Sequence, residues 1–172
     1  MTDSHTPTGC CPVFDPSPWE GGSLVWNERP FLRDRLRCLL YFPLGFGKAM
    51  TRNLGRLEQA RALTPDNLVL ADECSPWRTE LYFAIGPEGS EEDARGSASR
   101  LDPGAEIETL SGTFRTEVFD GPYKDAGRWR KQLATTLATA GREAQDIYAF
   151  YTTCPRCAKG YGHNYVVLLA RV

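Results

Sequence analysis

The feature that most constrains this chain is the break at Asp120-Gly121-Pro122. Before it, Leu110 to Phe119 carries Thr113, Phe114, Val118 and Phe119, residue types that suit a pleated, half-buried surface. At the break, Gly121 permits a tight turn and Pro122 presets φ for a first helical residue. Beyond it, Ala126, Trp129, Leu133, Leu137 and Ala140 recur at helical spacing, and Gly141 can close the helix. Two more strand-like runs follow, Asp146 to Thr152 and Asn164 to Arg171. The unit reads strand, helix, strand, strand.

The same order appears earlier. Phe31 to Phe42 reads as a strand, with Leu36, Cys38, Leu40 and Phe42 on one face and Arg35, Arg37 and Tyr41 on the other. Pro43 to Gly47 breaks it, and Lys48 to Leu63 reads as a helix whose buried stripe is Met50, Leu54 and Leu57. Thr64-Pro65-Asp66 ends that element; Asn67 to Asp72 and Trp77 to Ile85 are strands. Aligning Phe46-Gly47-Lys48 with Pro122-Tyr123-Lys124 superposes the two helix phases, Met50 over Ala126 and Leu57 over Leu133. The expected fold class is therefore α+β. Two pseudo-symmetric βαββ repeats, 31–85 and 105–172, are expected. The Glu-, Ser- and Gly-rich segment 86–104 between them reads as a solvated loop.

Residues 1–30 hold five of the twelve prolines, which interrupt any helix. They also hold two of the four tryptophans, too many for a disordered tail. This segment is expected to lie over the domain as an extended arm anchored by Phe14, Trp19 and Trp26.

Two βαββ (SHS2-type) units, the second carrying Gly112-Thr113-Phe114, Phe119, Gly121-Pro122-Tyr123 and Trp129, resemble the GyrI-like superfamily. That group includes gyrase-inhibitory proteins, effector domains of multidrug-sensing regulators, and stand-alone members that hydrolyse cyclopropanoid natural products. The resemblance covers about residues 31–172 and implies a curved antiparallel sheet with helices on one face and a small-molecule ligand on the opposite, concave face. The arm with Cys10-Cys11-Pro12 and the segment Thr152-Thr153-Cys154-Pro155-Arg156-Cys157 depart from the regulators and look like the mark of a subfamily often labelled hydrolase.

A net charge of −2 supplies no basic field for nucleic acid or an anionic membrane. The first residues lack the basic and apolar regions of a secretory signal, so the cytoplasm is the expected compartment. Self-association is left open. A disulfide framework is then a poor account of the six cysteines, of which Cys38 reads as a small core residue. Cys154 and Cys157, spaced by two residues, can direct both sulfurs at one tetrahedral ion. Cys10 and Cys11 would complete a structural zinc site, although successive side chains diverge, and His163 could replace one of them. A redox pair would want Cys154 at a helix N-terminus, whereas its place reads as a strand–strand connection. Unliganded thiols are the third reading.

The other cluster is Asp72-Glu73-Cys74-Ser75-Pro76-Trp77 with Glu80. Strand parity sends Glu80 and Tyr82 to the face opposite the helices. A carboxylate among aromatic rings suits a hydrophobic, aromatic or cationic ligand. The resemblance assigns such an acidic residue, Glu80 or Glu73, the role of general base for hydrolysis, with Trp77, Tyr82 and Tyr123 binding the ligand. Plain packing and a solvated carboxylate explain the same residues, as does a drug-sequestering protein without turnover. A third class is a zinc-stapled module that binds another protein. No Ser-His-Asp set suggests itself, because His5 lies in the tail and His163 beside the cysteines.

Overall fold

The computed structural model describes residues 10–73, 75–86 and 91–172. His5, Cys74 and residues 87–90 of the 86–104 segment lie outside the described residues. Eleven helices and strands are described in the order β1 (Ser23–Leu39), β2 (Phe42–Pro43), α1 (Phe46–Gln59), β3 (Val69–Asp72), β4 (Arg78–Ala84), α2 (Glu91–Ala98), β5 (Glu106–Asp120), α3 (Ala126–Thr139), β6 (Asp146–Tyr151), α4 (Pro155–Tyr161) and β7 (Tyr165–Arg171). None of the helices is long and apolar enough to cross a membrane. The chain divides into two compact units, one of residues 25–112 and one formed by the chain up to Leu24 with Thr113–Val172.

In the unit of residues 25–112, β4 is central and antiparallel to both neighbours. Arg33 and Leu70 flank Tyr82, and Arg35 and Asp72 flank Glu80. Residues of opposite parity face α1, where Asp34 accepts hydrogen bonds from Arg52 and, at 2.6 Å, from Asn53 Nδ2. The buried stripe of α1 is Ala49, Asn53 and Leu57. Met50 and Leu54, expected at its centre, are only half-buried. The helix also stops four residues short of Leu63. Arg61 takes a left-handed φ of 52° and Ala62 N–H closes back on Leu57 O at 2.8 Å, a chain reversal that ends the last turn.

Three further expectations are corrected. β1 begins at Ser23, inside the segment read as arm, so Trp26 is a core residue of this strand rather than an arm anchor. The strand ends at Leu39, and Leu40 and Phe42, expected on its buried face, are exposed. Residues 91–98, expected as solvated loop, form α2, which buries Ala94 and Ser97.

In the second unit, β7 is central between β5 and β6, with Val118↔Val167 and Phe150↔Val167 in register. Val166, Leu168 and Ala170 point to α3 and pack with Ala126, Trp129, Leu133 and Leu137. Trp129 stacks on Phe119 at 5.3 Å between centroids. A Cβ on Gly121 would stand 3.1 Å from Trp129 Cζ2, so the elbow needs glycine for this close approach. The opposite face is covered by the arm, whose Phe14 and Trp19 lie on Phe150 at 5.9 and 5.8 Å. Thr116 Oγ1 donates to Trp19 O at 2.7 Å and holds the arm's turn down.

Gly121→Ala should destabilise the protein by about 1–3 kcal/mol, because the added methyl must displace a stacked indole in a packed site. Urea unfolding followed by Trp fluorescence measures this, and an unchanged midpoint would show that the indole shifts freely.

Candidate functional site

The four cysteines expected to act together do meet. Sγ of Cys10, Cys11, Cys154 and Cys157 all lie within 4.8 Å of one another. Cys10 is 3.8 Å from Cys11 and 3.9 Å from Cys154. Sulfurs on arms of about 2.3 Å around one tetrahedral ion stand about 3.8 Å apart, so this cluster is close enough to hold a metal ion. Local structure explains the convergence. Cys154 is the N-cap of α4 and Cys157 lies in its first turn, which brings the two sulfurs to one side. This corrects the expected plain strand–strand connection. Cys10 and Cys11 sit in a bend rather than in extended chain, so their side chains converge where an extended pair would diverge.

A second layer of contacts fixes these residues. Tyr161 of α4 donates its hydroxyl to Cys11 O at 2.5 Å, and Cys154 N–H points at Cys11 Sγ at 3.4 Å. Tyr123 donates to Thr153 O at 2.8 Å, while its ring meets Tyr151 edge-on. Burial and the nearby sulfurs push the Tyr123 phenol up, so it stays a donor. Tyr123, expected at the rim of a ligand cleft, therefore supports the residue before Cys154. Burial likewise pushes the Cys11 thiol up; a bound cation would reverse that preference. His163, weighed as a ligand, instead pairs through Nδ1 with Asp120 Oδ2 at 2.8 Å and stacks on Tyr165.

The second candidate lies in the unit of residues 25–112. As parity requires, Glu80 and Tyr82 occupy the face of β4 away from α1. Tyr82 donates its hydroxyl to Glu80 Oε2 at 2.9 Å. Arg33 reaches Glu80 at 2.7 Å and Glu108 at 3.0 Å; Arg35 reaches Glu106 at 2.9 Å and Glu80 at 3.5 Å; Arg78 stands 3.7 Å from Glu80. Burial alone would raise the Glu80 carboxyl, but the Tyr82 hydroxyl and the Arg33 and Arg35 guanidiniums outweigh it and hold the group below its ordinary value. Glu80 is thus a charged anchor at neutral pH. The Nε of Arg33 is buried and has no hydrogen-bond partner among the described residues. Phe31, edge-on to Tyr82 at 6.4 Å, and Trp26, tilted on Phe31, are buried rings packed beside it.

Trp77 is 62% exposed just before β4, and Glu73 is half-buried after β3. A shallow depression lined by Leu54, Leu57 and Phe83 lies on the helix side of β4, away from Glu80. Sequence reasoning missed Arg33, Glu106 and Glu108. The available signal was parity, since Arg33 alternates with Arg35 and Glu106 with Glu108, but which strands pair is a tertiary fact.

Below the ordinary carboxylate value of about 4.5, Glu80 keeps its charge until its lowered folded value is crossed. Its contribution to stability is therefore complete above about pH 4.5 and lost as the pH falls through the folded value. Glu80→Gln should cost about 1–3 kcal/mol at neutral pH, because the Arg33 and Arg35 guanidiniums lose a charged partner. The gap to the unchanged protein should close in acid. A gap independent of pH would show that shape, not charge, explains the loss.

No protein of curated function matches the chain. Among solved structures, a hydrolase from Listeria innocua shares 13% identity with a TM-score of 0.58, over 89% of this chain and 91% of that one. An uncharacterized conserved protein from Listeria innocua is similar at 12% identity and TM-score 0.58, over 88% and 91%. At such identities the likeness shows the fold alone. A family described as bacterial hydrolase matches residues 1–172, the whole length, and the chain belongs to that bacterial hydrolase family.

Proposed function

We propose that the chain is a small-molecule hydrolase whose reaction centre is the Arg33–Glu80–Tyr82 cluster, and that a zinc ion held by Cys10, Cys11, Cys154 and Cys157 is structural. The observation that carries the first part is the buried Arg33 Nε–H without a partner. Such a donor is costly unless an acceptor arrives, and a substrate carbonyl or ether oxygen is one. The rings of Tyr82 and Phe31 favour a hydrophobic or aromatic body on that oxygen. Arg33, Arg35 and Arg78 balance Glu80, Glu106 and Glu108, so charge alone favours neither a cation nor an anion.

In this reading Arg33 polarises the substrate oxygen, and Glu80 accepts the proton of an attacking water. Its lowered pKa makes it a weak base but one ionised throughout the neutral range. Glu73 belongs to the same unit and would meet the outer part of a larger ligand, whereas Trp77 lies beside the β1–β2 hairpin. The strand–helix–strand–strand order within each unit, with β2, α2 and α4 as additions, supports the two-repeat GyrI-like reading. A drug-sequestering protein would use the same cluster without turnover.

Four thiolates make a closed set with no position for water, which suits a structural ion and not a catalytic one. The ion would fasten the arm to α4 and keep Phe14 and Trp19 on Phe150.

Protein purified without chelator should contain about one zinc per chain by elemental analysis. Cys157→Ser should lose the metal and lower the melting temperature by several degrees. Metal-free protein of unchanged stability would remove the zinc reading. For the reaction, turnover should be sought with a panel of aromatic esters and strained-ring compounds. Glu80→Gln should lower it about 100-fold or more while ligand binding persists. Binding without turnover in the unchanged protein selects the sequestering alternative. Unaltered turnover in both Glu80→Gln and Tyr82→Phe would put the site elsewhere.

A further inference from the structure

The hairpin β1–β2 ends in a surface that the hydrolase reading does not use. Leu39, Leu40, Tyr41, Phe42, Leu44 and Phe46 are each between 37% and 78% exposed, and Trp77 is 62% exposed. They belong to one structure. Leu39 pairs with Phe42 across the turn, Leu44 N–H donates to Arg37 O at 2.8 Å, and Tyr41 N–H donates to Pro76 O at 3.0 Å. Cys38 N–H donates to Trp77 O at 2.8 Å, which brings the tryptophan beside the same strand.

The turn itself is unusual. Leu40 and Tyr41 have φ of 50° and 70°, the left-handed pair of a two-residue hairpin that Asn-Gly adopts most easily. Bulky side chains there cost about 1–3 kcal/mol each, and such strain collects at binding sites. Here it holds two large apolar groups outward on a backbone fixed by three hydrogen bonds and the Leu39–Phe42 pairing, so little order remains to be imposed on binding.

We infer that this hairpin is the contact by which two copies of the chain form a two-fold dimer. The argument is area. Side chains of roughly 150–250 Å² each, exposed to this degree, leave on the order of 800 Å² of apolar surface. A monomer's largest apolar patch is usually about 300–600 Å². A stable interface buries about 800 Å² per partner, so the patch is the size that one further copy would cover. Its make-up fits as well, with aromatic and leucine side chains at the centre and Arg37, Lys48 and Arg78 exposed around it. Extension of the sheet is not the mode, because β2 is two residues long and Pro43 has no N–H to donate. The contact is made by side chains.

The rim charges give the dimer a signature. Arg37 and Lys48 stand exposed at the rim in a stretch, Arg35 to Leu57, that has no acidic residue, so two rims repel and added salt should tighten the pair. An anionic lipid surface meeting the same patch would be released by salt.

The test is sedimentation equilibrium of the full chain at low and high salt. The unchanged protein should show a dimer that strengthens with salt. Two variants should weaken it about 100-fold or more: Phe42→Asp, and Leu40→Asn combined with Tyr41→Gly. The second supplies the residues the turn prefers, so it should raise thermal stability while removing the contact. That separates a lost interface from a damaged fold. A monomer at all concentrations and salts overturns the proposal, as does a double variant that dimerises as tightly as the unchanged chain. A monomer that binds phosphatidylglycerol vesicles through Phe42 at low salt also overturns it and makes the patch a lipid contact.

Discussion

Trp129 can lie flat on Phe119 only because residue 121 has no side chain. That contact fixes where α3 starts relative to the end of β5, and everything else in its unit follows. With α3 seated, Val166, Leu168 and Ala170 of β7 acquire a cover, and β7 becomes the buried central strand. The opposite side of the strands is then left apolar, with Phe150 and Tyr165 on it, and a sheet with two apolar faces needs a second layer. The helix α3 already covers the other face. The arm fills that role with Phe14 and Trp19. It has little regular structure of its own, so side-chain packing and the hydrogen bond from Thr116 to Trp19 O must hold it. The cysteine cluster stands where this arm meets α4, which gives four scattered thiols a common mechanical sense.

The other unit solves the same problem differently. Its strand face away from α1 is not roofed by an arm but filled by charge. Glu80 draws Arg33 and Arg35 inward, Glu106 and Glu108 take their remaining donors, and Tyr82 completes the set. A network of this kind contributes little net stability, since desolvation consumes most of the Coulomb attraction. Apolar residues in the same register would stabilise a sheet at least as well. The proposed reaction centre would give this network a chemical use, and the Arg33 Nε, without a partner among the described residues, supports that proposal.

How much of this was legible beforehand can be judged residue by residue. The helix after Pro122 was readable because its apolar residues repeat at 3.6 and its boundaries carry Gly121, Pro122 and Gly141. The parity of Glu80 and Tyr82 was readable because a strand alternates strictly. The four cysteines could be proposed as one set because two residues between Cys154 and Cys157 suit two ligands of one ion and the adjacent pair supplies two more. By contrast, the stripe of α1 was misjudged, since Asn53 is fully buried by its bond to Asp34 and no periodicity announces a buried polar residue. The helix α2 was missed because its Glu- and Ser-rich composition resembles solvent-facing loop and only Ala94 and Ser97 turn inward.

What the amino-acid order determined by itself was local: the helix after Pro122, the strand alternation that puts Glu80 and Tyr82 on one face, and the turn that Gly121 permits. These follow from backbone sterics and periodicity, which act within a few residues. Only the tertiary structure decided that Arg33 would meet Glu108 across 75 residues, and that Cys10 would meet Cys154 across 144. It also decided that Leu40 and Phe42 would end outside the core. Each of these depends on which strand lies beside which, and pairing is selected by the summed burial of whole faces, a quantity no single segment carries.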